Sequence, residues 1–306
     1  MKEKTLGELL EELRTRNKLS KTQVCDGLCT VTALARYEQD KRVPEKVLAD
    51  YLFERLGKGT HQYELVTSQQ EYRISKRRSE IEKLLNKGKV ENAEELLQEY
   101  KNETLRFKNL HMQYIILKEG EINSLNKEFE VALFKYIQAL EYTNCGNIYQ
   151  CGLEEKLLSG IEIELVYMIA ETSYIVSDLR TSYFLFEQLK IYFDRFHTDY
   201  KINNLQYSNI MYRLAQKEKE ESNFGLSLKY LQDAEEFLIK DYRINNLQEV
   251  LQLKLLIQEK LGLIDTENIK KQQNIILALR IMEMQSKNEI ISKEGLELWE
   301  NTVNRQ

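Results

Sequence analysis

The stretch Gly27–Pro44, GLCTVTALARYEQDKRVP, decides the fold of the N-terminal part and contains the only proline of the 306-residue chain. Gly27 ends one helical pattern and begins a tight turn, because glycine adopts the backbone conformations that such turns require. Thr30 has the side chain of an N-cap for a helix from Val31 to about Gln39. Pro44 is predicted to occupy the first position of the next helix, which suits its fixed φ. The stretch therefore predicts one short helix held between a glycine turn and a proline.

Helical patterns flank this stretch on both sides. Leucines recur at helical spacing within Leu6–Ser20, and Ser20 is predicted to cap a second short helix, KTQVCDGL. A fourth helix, PEKVLADYLFERLG, runs from Pro44 and is closed by Gly57. Four short helices with a glycine turn between the second and third are typical of a helix-turn-helix domain, predicted here over residues 1–57.

The run LGELLEELR…NKLSKTQVCDGLCTVTALARYEQDKRVP resembles the XRE or Cro/repressor-like family of DNA-binding domains over about 55 residues. It most resembles the Gram-positive subgroup that reads Gly-Leu-Cys-Ser/Thr-Val followed by Leu-x-Arg-x-Glu. The Arg36-Tyr37-Glu38 run and the proline after the basic turn also match. Cys25 departs from the usual alanine, which changes packing and not groove chemistry. The resemblance implies that the third helix enters the major groove of DNA.

The predicted DNA-binding residues lie on the outward face of the third helix and around it, since Leu28, Leu34 and Tyr37 fall on its inner face. Valine and threonine methyl groups suit thymine methyls, and Arg36 is predicted to reach guanine or a phosphate. Phosphate contacts are predicted for the residues at the helix starts and in the basic turn. The full set is Lys21, Thr30, Val31, Thr32, Ala35, Arg36, Gln39, Lys41 and Arg42. Two other interpretations stay open, a merely solvated helix face and a docking or dimerising module.

Composition favours helices throughout and argues against several functions. One proline and twelve glycines predict an all-α chain. Residues 1–57 carry a net charge of +1 and the remainder −6, so DNA affinity is expected only in the N-terminal part. The four cysteines have no zinc-finger spacing, and no metal or cofactor is predicted. No apolar run approaches the ~20 residues that span a bilayer, and the chain starts without a signal peptide, so a cytoplasmic protein is expected.

Internal repeats are predicted beyond a linker at residues 58–79. ESNFGLSLKYLQDAEEF, residues 221–237, resembles the second helix of a tetratricopeptide repeat, and weaker copies occur upstream. Small residues let the two helices of each repeat approach closely; they are Ala93, Ala132, Ser182 and Ser227. Residues 80–306 are thus predicted to form a right-handed α-solenoid of five degenerate hairpins and a terminal capping helix. Thr266 is predicted to cap the last hairpin helix.

A stack of such hairpins has a concave surface lined by the first helix of each pair, and such surfaces bind peptides. Asparagine amides can donate to and accept from a peptide backbone, and tyrosine offers a rigid apolar face with a polar tip. The predicted peptide-binding residues are Tyr167, Glu171, Tyr174, Asn203, Asn209, Tyr212, Arg213 and Asn246. The alternative is structural, since repeat cores are rich in tyrosine and asparagine pairs often cap helices.

The joined architecture resembles the RNPP family of Gram-positive quorum-sensing regulators. That resemblance implies a homodimer whose repeats bind a short signalling peptide and thereby alter binding to double-stranded promoter DNA. A repeat adaptor with an accessory DNA-binding domain is the competing interpretation. An enzyme is disfavoured, because the sequence has no HExxH, no GxSxG and no phosphate-binding glycine loop.

Overall fold

A computed structural model describes residues 4–58, 68–104, 108–143, 148, 152–153, 156–195, 201–240 and 246–286, without the side chains of residues 108, 201–205 and 283–286. Its helices are α1 (Leu6–Arg16), α2 (Lys21–Cys25), α3 (Val31–Glu38), α4 (Lys46–Arg55), α5 (Gln69–Asn86), α6 (Val90–Glu103), α7 (Lys108–Leu125), α8 (Phe129–Glu141), α9 (Gly160–Ile175), α10 (Leu179–Arg195), α11 (Lys201–Glu220), α12 (Phe224–Lys240), α13 (Leu247–Lys260) and α14 (Thr266–Ser286). All regular structure in these ranges is helical, which confirms the predicted fold class.

Two compact units divide the chain, Met1–Asn203 and Asn204–Gln306. The predicted domain limits at residues 57 and 80 stay predictions, and α5 begins at Gln69, inside the stretch predicted as a linker. None of the described helices is both long enough and apolar enough to cross a membrane.

Side-chain caps define the starts of the first three helices. Thr5 and Glu8 form a capping box at α1, and Ser20 and Gln23 form another at α2. The Thr30 hydroxyl accepts a hydrogen bond from the Ala33 amide, as predicted for α3. These caps satisfy amides that the first helical turn leaves without partners.

The prediction that Pro44 opens the fourth helix is wrong by two residues. Glu45 is the N-cap of α4, with extended backbone, and the helix begins at Lys46. The ring of Pro44 therefore stiffens the extended approach to the helix, which its fixed φ also permits.

The first four helices pack around a common apolar core. Its fully buried members include Leu10, Leu34, Leu48 and Leu52. Gly7 lets α1 approach α3 closely, because a Cβ there would lie 2.3 Å from the carbonyl oxygen of Tyr37. The same core includes Leu110 and Leu157 from the repeats, so these helices are packed against the repeats of their unit.

Helical hairpins account for the rest of each unit. α5/α6, α7/α8 and α9/α10 belong to the first unit, and α11/α12, from Asn204 onward, and α13/α14 belong to the second. All four predicted small residues are fully buried, which agrees with close helix packing at those sites. Ser227 also donates its hydroxyl to the carbonyl oxygen of Ala215 on the partner helix, at 2.7 Å.

The start of α14 corrects a second prediction. Asp265, and not Thr266, caps the helix: its carboxylate accepts the Asn268 amide at 2.8 Å and its carbonyl accepts the Ile269 amide. Both residue types can cap, and the one placed before the first helical residue does so. The predicted terminal capping helix lies outside the described residues.

Candidate DNA-binding face and candidate peptide site

The outward face of α3 is exposed as the sequence predicted. Val31 is 44% exposed, and Thr32, Arg36 and Gln39 are also exposed. Ala35 is half-buried, while Leu34 and Tyr37 on the opposite side are buried in the core. The eight-residue helix thus presents small and polar side chains with its first turn open, the geometry by which a recognition helix approaches base edges.

Glu38 is buried at the end of α3 and ties three helices together. Its carboxylate accepts from Arg14 Nε at 2.6 Å and from Lys21 Nζ at 2.6 Å. Burial alone would raise the pKa of Glu38, but the hydrogen bonds from Arg14 and Lys21 outweigh burial and lower it. Lys21, predicted to contact a phosphate, is therefore already paired with a carboxylate.

Three other predicted DNA-binding cations have no such partner. Arg36, Lys41 and Arg42 are exposed, and within the described ranges no carboxylate forms an ion pair with them. The neighbouring acid, Asp40, points toward α1 instead, where its carboxylate accepts from the Gly7 amide at 3.1 Å and from the Thr5 hydroxyl. The positive charge next to α3 is therefore available to an anionic partner.

Another part of the four helices, on α4, packs on the repeats through polar contacts. Tyr51 donates its hydroxyl to Gln113 of α7 at 3.0 Å. Glu54 accepts the Gly160 amide at the start of α9 at 2.8 Å. Arg55 forms two hydrogen bonds with the carboxylate of Glu162, also on α9. We refer to this interface, defined by Tyr51, Glu54 and Arg55, as the inward face.

The pKa values of the two carboxylates at the inward face are shifted in opposite directions. Burial raises the pKa of Glu54 to about 8, helped by the negative charges of Asp50 and Glu162. Burial also opposes ionisation of Glu162, but Arg55 and the hydrogen bonds from Ser159 and Thr143 outweigh it and lower the pKa. Glu162 is therefore the ionised partner of Arg55 at neutral pH.

The structure divides the predicted peptide-binding residues between the two units. Tyr167, Glu171 and Tyr174 belong to α9 in the first unit. Asn203 is the last residue of that unit, and its side chain lies outside the described atoms. The remaining four residues belong to the second unit, so the two groups are described separately.

On α9, the predicted residues combine packing with polar contacts. Tyr167 donates its hydroxyl to Glu171 at 3.2 Å, while its ring lies 6.3 Å from that of Phe186. Tyr174 packs edge-on against Tyr183 of α10. All three predicted side chains are half-buried. They therefore support the hairpin while keeping part of their surface accessible.

In the second unit, the predicted residues hydrogen bond within two small clusters. The Asn246 amide donates to Asn209 Oδ1 at 2.6 Å, across 37 positions of sequence. Asn246 has φ of +66° and makes no capping bond to α13, so the structural alternative of a simple cap does not apply to its side chain. Tyr212 and Arg213 both bond to Gln216, at 3.3 Å and 3.1 Å.

Sequence reasoning missed several polar residues beside these groups. Gln216 follows Tyr212 by four positions, a helical spacing that could have revealed it. Lys118 of α7 is buried and forms ion pairs with Glu121 at 2.6 Å and with Glu164 at 3.6 Å. Burial works against the charged form of Lys118, but Glu164 and Glu121 outweigh burial and raise its pKa. No local pattern signals this contact between two different hairpins.

The fold and these surfaces define an all-α protein with a helix-turn-helix domain followed by tetratricopeptide-like helical hairpins. The chain is similar to the crystal structure of Bacillus thuringiensis PlcR in complex with the peptide PapR7 and DNA. The match has a TM-score of 0.54 and 16% sequence identity, and it covers 93% of this chain and 97% of that one. No family model matches the chain, and no curated protein matches it. The structural match shows that the chain shares the fold of that protein, in agreement with the predicted helix-turn-helix domain and helical repeats.

Proposed function

We propose that the chain is a cytoplasmic transcriptional regulator that binds promoter DNA through α3, and that a short signalling peptide bound by its repeats changes its DNA affinity. The observation that carries the proposal is the open face of α3, where Thr32, Arg36 and Gln39 are exposed. Lys41 and Arg42 lie beside this face and form no ion pair with any residue that the structure describes. A rigid helix with a free cationic border meets both requirements of specific binding, base contacts and phosphate contacts.

The comparison supports the same proposal. PlcR, which shares the fold, was crystallised with both a peptide and DNA. Its fold spans nearly all of this chain, including the helix-turn-helix part and the repeats. We infer that this chain acts as a homodimer, because helix-turn-helix proteins often bind palindromic sites as symmetric dimers.

A selection experiment tests the DNA arm. The full chain is incubated with a library of random duplexes at near-physiological salt, and enriched sequences are compared with scrambled duplexes of equal length. We expect a palindromic operator that binds at least ~1,000-fold more tightly than its scrambled form. Binding that is equally tight to every duplex and collapses with salt would instead favour the repeat adaptor.

A second experiment tests the peptide arm. A small open reading frame beside the gene would provide the sequence of a candidate exported peptide, which is then synthesised and added to the full chain. A peptide that binds only the folded state raises the unfolding temperature. We expect Asn209→Ala to weaken that stabilisation, and an unchanged stabilisation would remove Asn209 from the site.

A further inference from the structure

Arg55 of α4 lies buried between the DNA-binding helices and the repeats. Its side chain is 2% exposed and that of Glu162 is 0% exposed. Arg55 Nη2 donates to one carboxylate oxygen of Glu162 at 2.7 Å, and Nε donates to the other at 3.3 Å. The remaining nitrogen, Nη1, donates to the carbonyl oxygens of Val24, at 3.2 Å, and of Asp26. One guanidinium therefore holds the end of α2 and the start of α9 together.

Glu162 is fixed in turn to the repeats. It forms the capping box of α9, accepting from the Ser159 amide at 2.6 Å. Thr143, just after α8, also hydrogen bonds to Glu162. Gln113 of α7 donates to Thr143 at 2.9 Å and accepts from Tyr51, which closes a ring of buried polar groups. Fully satisfied buried networks of this kind specify one arrangement of the elements that they join.

The turn that leads into α3 rests directly on this network. Gly27 has φ of +67°, and a Cβ at this position would lie 2.1 Å from the carbonyl oxygen of Thr143. Only a glycine allows so close an approach. α3 begins four residues later, at Val31, so its direction is set by a turn held from two sides.

The chemistry of this contact favours positioning over stability. Replacing a buried ion pair with apolar residues is often neutral or stabilising, so its presence is weak evidence of a need for stability. A planar guanidinium bound to two oxygens, however, fixes both distance and angle. α9, which bears the carboxylate, also carries Tyr167, Glu171 and Tyr174 at helical spacing further along.

We propose that Arg55 is a positioning residue that couples the orientation of α3 to the position of α9. This inference rests on the proposed function, since it links the proposed DNA-reading helix to a helix of the proposed peptide site. A ligand that displaces the start of α9 would move Glu162, and with it the turn before α3. Because coupling between two sites is reciprocal, DNA binding at α3 must also alter the stability or position of α9.

Reciprocity allows a test that needs no peptide. Hydrogen exchange is measured on the full chain with and without the operator duplex obtained by selection, and the readout is the protection of amides in residues 160–166. We expect operator binding to slow exchange there by about fivefold or more, the size of a typical coupling. At operator concentrations that saturate each variant, Glu162→Gln should lose the change at α9, because a neutral amide no longer fixes the guanidinium.

Glu119→Gln is the matched control. Glu119 forms ion pairs with Lys135 and Lys101 within the repeats, at 2.7 Å and 3.6 Å, and it lies outside the Arg55 network. This variant should retain the change at α9. If Glu162→Gln fails to fold, Arg55→Lys is used. This substitution keeps both charges and removes only the planar guanidinium that donates to both carboxylate oxygens.

Each outcome bears on one proposal. If no operator is enriched, the proposed function fails. If the operator binds but exchange at α9 does not change, or changes equally in Glu162→Gln or Arg55→Lys, the function stands and the coupling role of Arg55 is overturned. If the control loses the change as well, the effect is general to the repeats and Arg55 has no special role.

Discussion

The outward face of α3 and the inward face of the same four helices differ in what their polar side chains contact. On the outward face, Arg36, Lys41 and Arg42 are exposed and form no ion pair within the described ranges. On the inward face, Tyr51 and Arg55 are buried, and each is hydrogen bonded to the repeats. The four N-terminal helices therefore present an open cationic surface at one face, and at another face polar side chains that are hydrogen bonded to the repeats.

This difference indicates how the domain is prepared for a partner. A surface whose cations have no carboxylate partners can bind phosphates without first breaking protein contacts. An interface that fixes the domain's direction reduces the ordering cost when DNA binds. Under the proposed function, the outward face determines what is bound, and the inward face determines the orientation in which it is bound.

Gly27→Ala should have the largest effect, because it damages the close contact between the turn before α3 and Thr143, which belongs to the same network as the inward face. The left-handed φ costs a non-glycine residue about 1–2 kcal/mol, and the clash with the Thr143 carbonyl adds a further ~1–3 kcal/mol. We expect a loss of about 2–5 kcal/mol in the free energy of unfolding, measured by urea denaturation of the full chain.

Gly57→Ala provides a matched control for this prediction. Gly57 has φ of +79°, but no atom lies within 4 Å of the position that its Cβ would occupy. This variant should lose only the backbone contribution to the free energy of unfolding, about 1–2 kcal/mol. Equal losses in the two variants would show that the Thr143 contact contributes nothing.

Arg36→Ala tests the outward face and should have the next largest effect. Removing a contact with a base edge should weaken operator binding by about 1–3 kcal/mol and relax specificity at one base pair. Operator affinity is measured by titration of a labelled duplex. Arg16→Ala, which removes an exposed arginine from the end of α1, should change affinity by less than about twofold. An equal loss of affinity in both variants would mean that DNA binding depends only on net charge and not on a contact made by Arg36.

Local chemistry explains why much of this domain could be predicted from sequence. The Thr30 cap and the buried positions Leu34 and Tyr37 depend on residues within one or two helical turns. The errors at Pro44 and Thr266 are also local, because in each case an adjacent acid, Glu45 or Asp265, occupies the cap position. Periodicity locates a helix well and its first residue less well.

The inward face could not be predicted in this way. Arg55 and Glu162 are 107 positions apart, and their pairing depends on how the hairpins pack. The same holds for Asn209 with Asn246 and for Lys118 with Glu164. In contrast, the small residues Ala93, Ala132, Ser182 and Ser227 could be predicted, because close packing of consecutive helices leaves a repeated local pattern.

Glu54→Gln tests the electrostatics of the inward face and should have a smaller effect, which depends on pH. Because the folded-state pKa is raised to about 8 from 4.5, the folded chain holds this proton between those values more strongly than the unfolded chain. The stabilisation of the fold by proton binding to Glu54 is fully present below pH 4.5 and is lost as pH rises through about 8. The glutamine variant should match the native chain at pH 4.5 and exceed its unfolding free energy by about 1 kcal/mol at pH 9.

Thermal or urea denaturation across this pH range measures that difference. Lys271→Gln is a useful control, because the exposed Lys271–Glu267 pair lies on α14 and is not part of the inward face. The difference in unfolding free energy between this control and the native chain should not increase between pH 5 and 9. A Glu54→Gln curve that ran parallel to the native curve would contradict the raised pKa.

The smallest expected effect separates two lysines within the predicted DNA-binding set. Lys41 is exposed without a carboxylate partner within the described ranges, whereas Lys21 already pairs with buried Glu38. Lys41→Ala should therefore reduce the slope of log affinity against log salt by about 1, as expected for one phosphate contact. Lys21→Ala should reduce that slope by less than half as much, because the Lys21 ammonium would have to exchange the Glu38 carboxylate for a phosphate when DNA binds. Operator titrations at four or more salt concentrations measure both slopes, and a larger change for Lys21→Ala would place Lys21 and not Lys41 at the phosphate backbone.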